Sequence, residues 1–132
     1  MQVRGWARAA ALTVATLVMT SCASADGFAD LEREAQSGDA PPVEADMPQD
    51  AGVLPDTSRL VGTHEGVDLG LARTSEDGVC LLMYPDEEDW VWGCTERTPL
   101  TVANGSRSFV VVRDGEEAPD GATQVSDNVY AH

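Results

Sequence analysis

Lysine and isoleucine are absent from the 132 residues, and histidine, phenylalanine and tyrosine occur twice each. All eight basic residues are arginines, set against 23 acids. So little positive charge excludes a nucleic-acid partner, since phosphate backbones need clustered cations. Scarce histidine argues against hydrolytic chemistry. A serine triad needs a base held by an acid beside the nucleophile, and the one serious base, His64, sits beside a turn with Glu65 and Asp68 and reads as solvent-facing. No Gly-x-Ser-x-Gly elbow, Walker loop or dinucleotide glycine pattern is present. "PDEED" and "DGEEAPDG" offer the hard oxygens calcium prefers, but neither has the Asp-x-Asp-x-Asp-Gly spacing with its distal glutamate. A catalytic site, a cofactor and a metal are therefore all expected to be missing, and the chain is expected not to be an enzyme.

Long apolar runs are also lacking. The longest apolar stretch, Ala9 to Val18, follows Arg4 and Arg8, and no acid appears before Asp26. A bilayer-spanning helix needs about 20 apolar residues. A basic start, a short apolar stretch and small residues before a cut describe a secretory signal instead. Met19-Thr20-Ser21-Cys22 resembles the lipobox of bacterial lipoproteins, with Met19 departing from the usual leucine. The resemblance implies a signal peptide over residues 1–21, a diacylglyceryl group on the Cys22 thiol and cleavage before it. It places the protein on the cell membrane, facing the extracytoplasmic side, with membrane lipid as a covalent partner. Removing the signal takes away two arginines and no acids, leaving 6 basic and 23 acidic residues, a charge of −17. Such a surface repels anionic headgroups, so attachment falls to the acyl chains, of which two or more give stable anchoring.

Residues 22–58 hold four of the seven prolines and many Ala, Asp, Glu and Ser. This composition predicts a disordered acidic tether, extended by like charges. A short helix over Phe28 to Ala35, with Asp30 as its N-cap, would be marginal alone. The alternative use of Phe28 and Leu31 is as a docking peptide.

From Arg59 the period changes to two. "LVGTHEGVDLGLA" sets Val67, Leu69 and Leu71 on one side of a strand, with Glu65-Gly66 as a tight turn before it. "GVCLLMY" and "WVWGC" predict two more strands around "PDEED". Asn104-Gly105 predicts a two-residue type I′ hairpin turn, and "ATQVSDNVYA" supplies one or two final strands. Residues 59–132 are thus expected to form a small all-β domain, an antiparallel meander or partly closed barrel of six to eight strands. A domain of about 75 residues often needs a covalent staple. With Cys22 lipidated, Cys80 and Cys94 remain as an even pair in an oxidising compartment. A five-residue loop, Pro85 to Asp89, sets Tyr84 opposite Trp90, Leu82 opposite Trp92 and Cys80 opposite Cys94, which predicts a disulfide across one ladder.

The same register gathers Tyr84, Trp90 and Trp92 with the disulfide. These rings form either a core cluster or an exposed ligand platform. "GVCLLMYPDEEDWVWGCTE" and "SFVVVRDGEEAPDGATQVSDNVYA" resemble small lipoproteins of GC-rich Gram-positive bacteria, a resemblance that implies strand order and location but no activity. Two functions remain in view. One is a non-enzymatic binding module for an envelope protein or cell-wall partner. The other is a small-ligand carrier with a pocket lined by Tyr84, Trp90, Trp92 and Phe109.

Overall fold

Alternation of apolar and polar residues builds two antiparallel four-stranded sheets. The computed structural model describes residues 27–42 and 45–132. The signal segment and Cys22 lie outside the described residues. The first sheet is a meander of β1 (Arg59–His64), β2 (Val67–Arg73), β3 (Val79–Tyr84) and β4 (Val91–Thr95), in that order. The second joins β5 (Leu100–Asn104), β6 (Arg107–Val111), β8 (Val129–Ala131) and β7 (Thr123–Gln124). The expected all-β class and strand number hold, and the sheets do not close into a barrel.

Turn chemistry sets two of the hairpins. Glu65 and Gly66 both take positive φ, 48° and 81°, the pattern of a type I′ turn, whose twist suits the flanking strands. At the second hairpin the structure corrects the expected turn by one residue. Asn104 pairs with Arg107, so the loop is Gly105-Ser106. Only Gly105 of these two has positive φ, at 63°, as in a type II′ turn with glycine first. The strand pattern continues through Asn104, whose Nδ2 donates to the carbonyl of Asp89.

Side chains from both sheets meet in one core. Val67, Leu69 and Leu71 of β2 and Val79, Leu81 and Met83 of β3 pack with Val102, Phe109, Val111 and Val129. β4 and β5 approach so closely that a Cβ on Gly93 would lie 2.5 Å from Val102 Cγ2. On the far side, a Cβ on Gly62 would lie 3.0 Å from Val125 Cγ1.

The largest departure from expectation is N-terminal. Phe28 and Leu31, assigned by composition to a disordered tether or a docking peptide, are 1% and 5% exposed and belong to this core. The helix around them, α1, runs only from Ala29 to Glu32, and Asp30 is not its N-cap. Asp30 reaches instead to the C-terminal end of the fold, where Oδ2 accepts from Ser126 Oγ (2.6 Å) and from the Asn128 amide (3.0 Å). The Asp30 amide in turn donates to Asn128 Oδ1. Asn128, fully buried, also donates through Nδ2 to Val112 O and Asp114 Oδ1, and the Ala29 amide donates to that same Asp114 atom. The Arg113 guanidinium lies 4.8 Å from the Phe28 ring centroid, a cation–π contact. These long-range bonds supply what composition could not: an apolar docking site for two side chains, together with partners for the polar groups buried beside them.

Candidate functional site on the outer face of the first sheet

β3 is apolar on both faces. Val79, Leu81 and Met83 point into the core, while Cys80 and Leu82, which alternate with them, are also buried, at 0% and 3% exposure. A strand buried on both sides needs a cover on each. The disulfide supplies part of the outer cover: Cys80 and Cys94 face each other in the ladder and are joined by a 2.03 Å bond. The predicted register is observed for Cys80 opposite Cys94 and Leu82 opposite Trp92, and the ladder ends at Met83 opposite Val91, one pair short of Tyr84 and Trp90.

The rest of the cover is the proline-rich segment that precedes β1. Asp39 fastens its start. Its carboxylate takes two bonds from the Arg33 guanidinium (2.6 and 2.9 Å) and one each from the amides of Gln36 and Leu60. The guanidinium hydrogen bonds hold the Asp39 carboxyl well below the usual carboxylate range and push the Arg33 pKa up. Farther along, the Trp92 indole Nε1–H donates to Ala45 O at 3.4 Å. The Leu54 amide donates to Arg73 O at 2.8 Å, and Val53 forms an isolated bridge with Thr74. Thr57 Oγ1 accepts from the Arg73 amide. The segment is thus a strap tied to β1, β2 and β4.

Between strap and sheet lies a cavity of about 110 Å³. Gly70 creates its floor, because it stands in register with Leu82 on β3 and has no side chain. A Cβ there would meet only ordinary contacts, 3.7 Å from Arg59 O and 3.8 Å from Leu82 Cβ. Leu82, Tyr84 and Trp92 form the sheet side, Gly38 to Pro42 and Ser58 the strap side, and Leu60 the rim. Ser58 is 5% exposed, and its hydroxyl has no hydrogen-bond partner among the described residues.

Of the four aromatic candidates, Tyr84 and Trp92 line the cavity. Trp90, half-buried just before β4, does not line it. Phe109 is a correction: at 2% exposure it lies in the core between the sheets, because its strand turns that face inward. His64 is half-buried rather than solvent-facing, with its ring edge-on to Phe109 at 6.0 Å. The acidic loops spend carboxylates on their own backbone. Asp86 Oδ1 accepts from the amides of Glu88 and Asp89, and Glu116 Oε1 from the Arg113 amide and the Thr98 hydroxyl. Ser58, Gly70 and the strap escaped sequence reasoning, although the unbroken apolar run "VCLLM" signalled a strand needing cover on both faces.

Comparison of the chain with protein-family models, with curated proteins and with solved structures returns no match, so a functional reading depends on the residues described above.

Proposed function

We propose that the chain is a lipoprotein, held on the extracytoplasmic face of the cell membrane by acyl chains on Cys22, whose β domain is a non-enzymatic binding module. The anchor is supported by the basic start, the short apolar stretch and Met19-Thr20-Ser21-Cys22. The binding role is carried by one observation, the strap-roofed cavity with Tyr84 and Trp92 in its wall. Concave, mainly apolar sites with few polar groups are the usual form of ligand pockets.

The early start of the fold changes how such a protein would sit. From Cys22 to Phe28 is six residue steps, at most about 20 Å of chain. The domain would stand against the bilayer rather than on a long leash. Its acidity then keeps it from lying on anionic headgroups.

Fatty-acid labelling of the wild type and of Cys22→Ala tests the anchor, with label expected in the wild type only. In-cell crosslinking from Trp90 and residues 86–89 tests for an envelope partner. Equal labelling of both chains would end the anchoring part, and the absence of an enriched partner would end the envelope-interaction part.

A further inference from the structure

On the outer face of the first sheet one carboxylate stands beside two aromatic rings. Val67, Leu69 and Leu71 belong to the core, so the residues that alternate with them, Asp68 and Gly70, lie on the cavity side of β2. In the ladder Asp68 is opposite Tyr84, while Gly70 is opposite Leu82 and Leu82 opposite Trp92. All five line the cavity. Asp68 is exposed, accepts from the Thr63 hydroxyl and has no cation partner among the described residues. Two other charged residues line the cavity. Asp39 is paired with Arg33, and the Arg59 guanidinium donates to the carbonyls of Arg33, Asp56 and Ser58. Arg59 stands in register with Leu71, three residues from Asp68 on β2, or about 10 Å along the strand. The end of the cavity at Asp68 and Tyr84 is therefore its anionic end. A cation is favoured there by the carboxylate and by the half-exposed ring faces, which attract positive charge. The field of a chain with a net charge of −15 adds to both. A bare metal ion fits poorly. Among the described residues no three histidine, cysteine or acidic groups come together, and hard cations need several oxygen ligands. Size narrows the choice further, since about 110 Å³ is less than the about 150 Å³ cavity that admits benzene. One ammonium group with short carbon arms fills it.

We propose that this cavity binds a small soluble organic cation, an ammonium group carrying short alkyl arms, beside the Asp68 carboxylate and against the Tyr84 and Trp92 rings. The proposal rests on reading the domain as a binding module, and it deepens that reading by naming the ligand class. Gly70 leaves room for the alkyl arms, and Asp68 selects for the charge.

Tetramethylammonium is the probe, with tert-butanol as an uncharged molecule of similar size and shape, and sodium at equal ionic strength as the bare cation. Each is added to the full chain while the Trp92 indole N–H is followed by NMR. Tetramethylammonium is expected to shift that signal saturably. Tert-butanol should bind about tenfold more weakly, the worth of a desolvated cation–π contact, and sodium should give no saturable shift. Asp68→Asn should weaken tetramethylammonium about fivefold, the scale of an exposed charge pair. Glu117→Gln removes the same charge from the groove on the outer face of the second sheet and should leave affinity unchanged, because distant exposed charges are screened. Gly70→Val, which fills the floor, should abolish binding. The proposal is overturned by an unshifted signal with tetramethylammonium, by equal binding of tert-butanol or sodium, or by equal tetramethylammonium affinity in the wild type and Asp68→Asn. A loss in Glu117→Gln as large as in Asp68→Asn would overturn it too, as would binding that survives in a Gly70→Val chain of unchanged Tm. If Gly70→Val does not fold, the comparison of Asp68→Asn with Glu117→Gln decides alone. A negative result here would leave labelling at Cys22 and a crosslinked envelope partner standing, so the two readings fail separately.

Discussion

Phe28 decides whether the chain ahead of β1 belongs to the fold. Were residues 22–58 a tether, Phe28→Ala would leave stability unchanged. Because the ring is buried among Leu31 and the core strands, the substitution is expected to cost about 4 kcal/mol, read from denaturant unfolding of the full chain. Asp39 offers a second test at this scale, through pH. Its folded pKa lies below the ordinary value, chiefly through the Arg33 hydrogen bonds. Its contribution is therefore complete above the unfolded value of about 4 and is lost as pH falls through the depressed folded value. At pH 7, Asp39→Asn should lose about 2 kcal/mol, the scale of a hydrogen bond to a charged group. The gap to wild type should hold down to about pH 4 and close below it. A gap independent of pH would show that Asp39 acts through shape alone. Asp30 has the opposite sign, since burial raises its carboxyl pKa. Acidification through that raised value relieves the buried charge and favours folding, until the loss at Asp39 takes over at lower pH.

At the scale of elements, the hairpin of β3 and β4 bears both the staple and the cavity wall. The disulfide joins residues separated by 14 in sequence, and a loop of that length is worth about 3 kcal/mol by chain-entropy reasoning. Replacing Cys80 and Cys94 together by alanine should lower unfolding free energy by about that amount, and thiol titration of the unreduced, unfolded protein should find neither cysteine free. The contact between β4 and β5 depends on a missing side chain. Gly93→Ala would place a carbon 2.5 Å from Val102 Cγ2, and relieving that overlap should cost about 2 kcal/mol. In a double-mutant cycle, Gly93→Ala should cost less in a Val102→Ala background than in the native one, because the shortened side chain leaves space for the new methyl.

For the whole molecule, the question is its distance from the membrane. Under the proposed acylation of Cys22, the six residue steps from Cys22 to Phe28 would hold the tryptophans near the bilayer surface. Energy transfer from Trp90 and Trp92 to a dansyl-headgroup lipid should therefore be strong in vesicles carrying the lipidated protein. Inserting about 30 flexible Gly/Ser residues before Gly27 should weaken it, since such linkers extend as about 5–6 Å times the square root of their length. Equal transfer with and without the insert would mean that the anchor does not set the height of the domain. Strong negative charge adds a salt dependence. Screening weakens repulsion from anionic lipid, so raising ionic strength should increase transfer in the inserted variant more than in the native one.

Most of the sheet pairing was legible because its causes are local. Period-two alternation fixed which face of β2 is buried, Glu65-Gly66 fixed one turn, and a five-residue loop fixed the Cys80–Cys94 register, since each strand residue has a single cross-strand partner once the turn is set. The hairpin at Gly105 was misplaced by one residue, because local preference for Asn-Gly competes with ladder pairing that continues through Asn104. The cavity was not legible. Ser58, Gly70 and the strap lie far apart in character and carry no motif, and the strap's low hydrophobicity suggested disorder. Sequence alone determined an all-β, disulfide-paired, strongly acidic chain. Only the tertiary structure decided that Phe28 and Leu31 complete the core and that Asp39 clasps the strap over Gly70, because burial and hydrogen bonding between distant segments supply the stability that their own composition lacks.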